Sequence, residues 1–159
     1  MLASEFLGGL DLPFPILVLR LVGAALLCAL IGFEREAGAH SAGLRTNMLV
    51  GLAAATFAVI TFHLVDLYSD RGAAVRMDPL RLVEALTAGV AFLAAGMIVM
   101  SRGRVKNLTT GAMLWLSAAI GLAAGSGLWP IAVLAAVLGL GIGLLHAWVR
   151  PKDERLDKD

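Results

Sequence analysis

One cysteine in 159 residues, Cys28, has no partner within the chain, so no disulfide framework holds this protein together. Charge is also scarce. Asp, Glu, Lys and Arg make up 16% of the residues, against about 25% in ordinary soluble domains. The formal net charge of +1 gives no basic field that would collect nucleic acid, and no such partner is expected. Lys and Arg are missing altogether from Met1 to Pro13. The first apolar run therefore lacks the basic start of a cleaved signal peptide and reads as a retained span. The sequence contains no HExxH, CxxC, P-loop or GxSxG, and His40, His63 and His146 are scattered. Without a nucleophile–base pair, neither enzymatic activity nor a cofactor is expected.

What the chain has instead is apolar residues. They make up 59% of the sequence, and the mean hydropathy is +0.85, which places the chain among integral membrane proteins. Five runs, at about 15–33, 48–67, 80–100, 109–127 and 130–149, each approach the 17–25 residues that a helix needs to cross the hydrocarbon. None alternates polar and apolar residues, so a β-barrel is excluded. Asp78-Pro79 reads as an N-cap followed by a first-turn proline at the start of the third run. The expectation is an all-α membrane protein, a bundle of five transmembrane helices in one domain over residues 1–159.

An odd number of spans puts the termini on opposite faces. Nine Lys and Arg residues fall on one side, in the connectors after runs one and three and in the tail. Only Arg71, Arg76 and Arg81 fall on the other. The positive-inside rule then places the N-terminus outside and the C-terminus in the cytoplasm. Glycines four apart (Gly121 and Gly125, Gly139 and Gly143) allow close helix packing within the bundle. The alternative reading is a homodimer seam, placed on the glycine-rich fifth run. No internal repeat aligns, so the inverted-repeat transporter signature is not met.

The stretch from Gly32 to Val50, GFEREAGAHSAGLRTNMLV, joins runs one and two through a short polar connector. Glu34 and Glu36 are two apart, so on a helix they point about 200° from each other and cannot share one ion. Arg35 between them is read as part of a solvated helix end. The three connector glycines let the backbone turn back, and Glu34 is expected to pair with Arg45 to fix that turn. Arg45, Thr46 and Asn47 begin the second run, while Thr109 and Thr110 begin the fourth on the same face. These residues form the candidate polar cluster: Glu34, Arg35, Glu36, Arg45, Thr46, Asn47, Thr109 and Thr110. The unpaired N–H groups of the fourth helix start, downstream of Arg102, Arg104 and Lys106, suit an anion, though N-capping and attraction to anionic lipid account for the same residues.

Three charges lie within or at the ends of the spans: Arg20, Asp66 and Glu84. Arg20 and Glu84 stand at similar depth, so Arg20 is expected to pair with Glu84 or to reach Asp66. The alternative is that it snorkels outward. His63, Asp66 and Asp70 share one helical face, an arrangement open to a divalent cation or to an ordinary polar cap.

GFERE…AGLRTNMLVGLAAATF, then FLAAGMIV, then VKNLTTGAMLWLSAAIGLAAGSG resembles the hydrophobic N-terminal membrane domain of the MgtC/SapB family, from about Arg20 to Ala132. The resemblance implies a multi-pass protein of the bacterial inner membrane, connected with growth in low Mg²⁺, stress adaptation and virulence. It also implies action through a membrane partner, ATP synthase being the one attributed to the best-known member. Family positions carry over to Glu34, Ala42 to Thr46, Asn47, Phe92, Gly96, Leu108 to Thr110, and Trp115. The chain departs from the pattern at Ala94 and Glu84, and it ends at RPKDERLDKD, where many members continue into a cytoplasmic domain. The expected function is a regulatory or interaction role; the alternative is a transporter or channel for Mg²⁺ or another small ion.

Overall fold

The structure is a computed structural model that describes residues 12–38, 40–69, 78–101 and 104–149. Five helices follow one another: α1 (Phe14–Ala37), α2 (Leu44–Ser69), α3 (Leu80–Met97), α4 (Leu108–Gly125) and α5 (Trp129–Val149). Between α3 and α4 lies a two-stranded antiparallel hairpin, β1 (Val99–Ser101) and β2 (Arg104–Lys106). The helices α1 to α4 are long and apolar enough to cross a membrane, and the apolar part of α5 is the shorter Trp129–Leu145. Several apolar helices of this length make the chain a multi-pass membrane protein, with large hydrophobic side chains such as Leu26, Phe92 and Ile142 exposed where lipid would cover them.

Helix ends follow local chemistry. Asp78 Oδ1 accepts a hydrogen bond from Leu80 N at 2.9 Å, as an Asp-Pro helix start requires. The third run stops short of the expected residue 100. α3 ends at Met97, and Ile98 turns extended (φ −77°, ψ 116°) as the chain enters β1. Asn107 accounts for the change. It adopts the left-handed conformation (φ 65°), which Asn tolerates better than most residues, and its Nδ2 donates to Met97 O at 3.0 Å. That bond ties the base of the hairpin to the end of α3, where the helix would otherwise leave an unpaired carbonyl.

α4 is the central helix. Most of its residues are buried, and it packs on each of the other four helices. Its glycines set the tightest crossing. Gly121 lies against the Gly51 backbone and Gly125 against Ala55, so that a Cβ on Gly125 would stand 2.6 Å from Ala55 Cα. Small residues at this spacing bring α2 and α4 into backbone contact, which in lipid replaces the hydrophobic drive to associate. Gly139 and Gly143 of the fifth run face inward too. Gly139 abuts Leu116 of α4, and Gly143 abuts the Glu34 carboxylate of α1. This pair therefore packs within the chain. α3 is the loosely held helix, with nothing within 4 Å of the Cβ positions of Gly89 and Gly96.

Candidate functional site

Arg35, Asn47, Thr110 and Ser117 are buried polar residues, and three of them were expected in the polar cluster. Cys28, Ile31 and Arg35 are all buried on one face of α1, each three or four residues from the next. The Cys28 Sγ donates to Ser117 O at 3.3 Å. The Ser117 Oγ donates to Asn47 Oδ1 at 2.8 Å, and Asn47 Nδ2 donates to Gly43 O at 2.8 Å and Ala42 O at 3.3 Å. The Asn47 side chain thus closes the connector onto the first turn of α2 and holds α4. Arg35 and Thr110 each lie seven residues, about 10 Å along their helices, from the Cys28–Ser117 contact toward the same end of the bundle. They share its level with the start of α2.

The acidic residues of the connector divide their work. α1 remains helical to Ala37, so Glu34 and Glu36 point different ways. Glu36 Oε2 accepts from Leu44 N at 2.7 Å, satisfying an otherwise open donor at the start of α2. His40 Nδ1 lies 3.0 Å from Arg35 O, and because a carbonyl only accepts, the ring carries its proton on Nδ1 there. The Glu34 carboxylate packs against Gly143, with Oε2 3.7 Å from Arg35 Nη1. The expected Glu34–Arg45 pair does not form: Arg45 is exposed on the first turn of α2, while the neighbouring arginine is 99% buried. The extra helical turn beyond Phe33 carries Arg35 onto the core face, and this makes it the arginine near Glu34. Thr46 is half-buried and Thr109 is exposed, so neither joins the buried set.

The membrane charges also rearrange. Arg20 Nη1 donates to Gly125 O at 3.0 Å, placing a cation at the carbonyl end of α4, where the helix dipole favours it. Glu84 is exposed on α3 and makes no ion pair with Arg20 among the described residues, and Asp66 is exposed near the end of α2. The end of α4 brings a backbone carbonyl to the guanidinium, whereas Glu84 is exposed on the loosely packed α3. Asp70, needed for the expected cation face with His63 and Asp66, lies outside the described residues, as do Arg71, Arg76, Arg102 and the tail from Arg150. Sequence reasoning missed Ser117 and Cys28. The signal was their polar character on an otherwise apolar face, together with the seven-residue step from Thr110 to Ser117.

The profile of the MgtC family matches residues 21–151. The chain belongs to the MgtC family. It is 41% identical over 125 residues to "Protein MgtC" of Brucella abortus (strain 2308), covering 79% of this chain and 49% of that protein. It is 36% identical over 125 residues to the "Putative magnesium transporter YhiD" of Escherichia coli (strain K12), covering 77% of this chain and 57% of the relative. "Protein SrpB" of Synechococcus elongatus is 35% identical over 151 residues, with 86% and 81% covered. The chain spans about half the length of the first two relatives. No solved structure matches it. The buried Asn47 and the connector around it thus belong to a family membrane domain.

Proposed function

We propose that this MgtC-family chain is a non-enzymatic regulatory protein of the bacterial inner membrane, with its N-terminus outside and its C-terminus in the cytoplasm. It acts in adaptation to low Mg²⁺ or stress by contact with another membrane protein. One observation carries this reading. α4, the most buried helix, leaves one stripe open, formed by Leu108, Ala112, Trp115 and Ala119 at spacings of three and four residues. Phe92 of α3 is 84% exposed. Leu108, Trp115 and Phe92 are positions of the family motifs, and among the described residues nothing covers them. The buried polar residues of the same motifs are used differently, since Asn47 and Ser117 bond to each other and to the connector. A rigid bundle presenting Trp115 in an apolar stripe, with Phe92 exposed on the neighbouring α3, suits recognition by a neighbouring protein, because aromatic side chains dominate the energetics of such contacts.

The second reading is transport of Mg²⁺ or another small ion. It is favoured by the name of the Escherichia coli relative and by the Glu34 carboxylate beside an apolar groove. Two measurements separate the readings. In a strain that depends on this protein for growth in low Mg²⁺, Trp115→Ala with Leu108→Ala should abolish growth while membrane abundance stays normal. Purified protein in liposomes should pass no more Mg²⁺ than empty vesicles. Flux above that background, with growth retained in the double variant, would establish transport and overturn the regulatory reading.

A further inference from the structure

Between α1 and α5 runs a groove of about 870 Å³, walled by Leu26, Leu30 and Phe33 on one side and by Leu140 and Leu144 on the other. Its chemistry is asymmetric. Glu34 and His40 lie at one end, where the chain leaves α1 for the connector, and the walls beyond are aliphatic and aromatic. From Leu26 to Glu34 is eight residues, about 12 Å along the helix. A single leaflet of a bilayer whose hydrocarbon is about 30 Å thick spans about 15 Å. The groove is therefore one leaflet deep, polar at the membrane surface and apolar toward the midplane. A transmembrane helix of a partner would need a groove crossing both leaflets.

The polar end leaves one carboxylate oxygen without a hydrogen bond among the described residues. The Glu34 side chain is nine-tenths buried, and its Oε2 has no hydrogen-bond partner among the described residues. The nearest guanidinium nitrogen, Arg35 Nη1, stands at 3.7 Å, within reach of an ion pair but beyond a hydrogen bond. Gly143 leaves room for the carboxylate, since a Cβ there would stand 2.8 Å from Oε2. A buried carboxylate needs hydrogen-bond donors more than it needs apolar contact. The geometry points to a phospholipid site: one acyl chain lies in the α1–α5 groove, and a primary ammonium headgroup donates its N–H groups to Glu34. An ammonium offers three donors and no acceptor, which suits a carboxylate set in an apolar wall. A glycerol headgroup brings no cationic N–H donor to Glu34. This site goes beyond the regulatory reading and stands whether or not that reading holds.

The test uses the purified full chain and native mass spectrometry, with vesicle lipids of identical tails. The headgroups are ethanolamine, its mono- and dimethylated forms, choline and glycerol. The positive charge is constant across the first four while the N–H donors fall from three to none. Retention should fall along that series by about tenfold in all, the worth of a good hydrogen bond to a charged group, and be lowest for glycerol. Glu34→Gln should flatten the series, and Leu140→Trp, which fills the tail groove and leaves the carboxylate in place, should lower retention of every lipid. A flat series in the parent protein overturns the proposal without recourse to any variant. So does a Glu34→Gln protein that keeps the preference, or a parent protein that retains a second copy of the chain in place of lipid.

Discussion

Ser117 of α4 donates to Asn47 Oδ1 of α2 at 2.8 Å across seventy positions of sequence, and both side chains are fully buried. The same Asn47 amide holds the carbonyls of Ala42 and Gly43, so one residue joins the connector, the start of α2 and the central helix. Interhelical hydrogen bonds in membrane proteins are worth about 0.6 kcal/mol on average and up to about 1.7 kcal/mol. Ser117→Ala should therefore cost roughly 1 kcal/mol in detergent unfolding. Asn47→Ala should cost more, about 1–3 kcal/mol, because it also releases buried carbonyls. A double-mutant cycle should show coupling; additive losses would mean that the pair does not act together.

Contact between Gly121 and Gly51 sets a second expectation. Gly121→Ala places a methyl against backbone that cannot turn aside, and overpacking of this kind costs about 1–3 kcal/mol. Gly141 has nothing within 4 Å of its Cβ position, so Gly141→Ala should change stability by no more than about 0.5 kcal/mol. Thermal unfolding of the two variants side by side checks the contrast. Equal effects would contradict the α2–α4 crossing.

Arg20 caps the carbonyl end of α4. Removing a cation from that position should cost roughly 0.3–1 kcal/mol, rising toward about 2 kcal/mol where the site is partly buried. Arg20→Lys should retain part of the effect. Exchanging the charges of Arg20 and Glu84 should give no recovery, because the guanidinium bonds to a carbonyl and not to that carboxylate. Restored stability in the exchanged protein would return the ion pair to consideration.

The two arginines of the connector should behave in opposite ways. Arg35 is buried beside Glu34, so Arg35→Ala leaves a carboxylate without its nearest cation, a change that costs about 3–5 kcal/mol in buried pairs. Arg45 is exposed, and Arg45→Ala should stay within about 0.5 kcal/mol. Membrane abundance and detergent melting of the two variants give the comparison directly. A large loss at Arg45 with none at Arg35 would restore the pairing expected from spacing alone.

Run length and hydropathy determine where the helices lie, because a chain in lipid must satisfy its backbone within each segment. That constraint is local, and it located five helices and the Asp78-Pro79 start from sequence alone. The motif residues Glu34, Asn47 and Thr110 were legible as a group for the same reason: they are polar residues at the ends of apolar runs. Which of them turn inward was decided by tertiary structure. Spacing in the sequence favours Arg45 beside Glu34 and leaves Arg35 on a solvated helix end. Only the continuation of α1 to Ala37 rotates Arg35 onto the face shared by Cys28 and Ile31, and only the packing of α5 through Gly143 leaves Glu34 in a wall. Arg20 likewise had Glu84 in prospect and took a carbonyl, since the end of α4 arrives beside it in space from 105 positions away. Helix formation depends on neighbours in sequence, whereas the partner of a buried charge depends on which distant backbone arrives next to it.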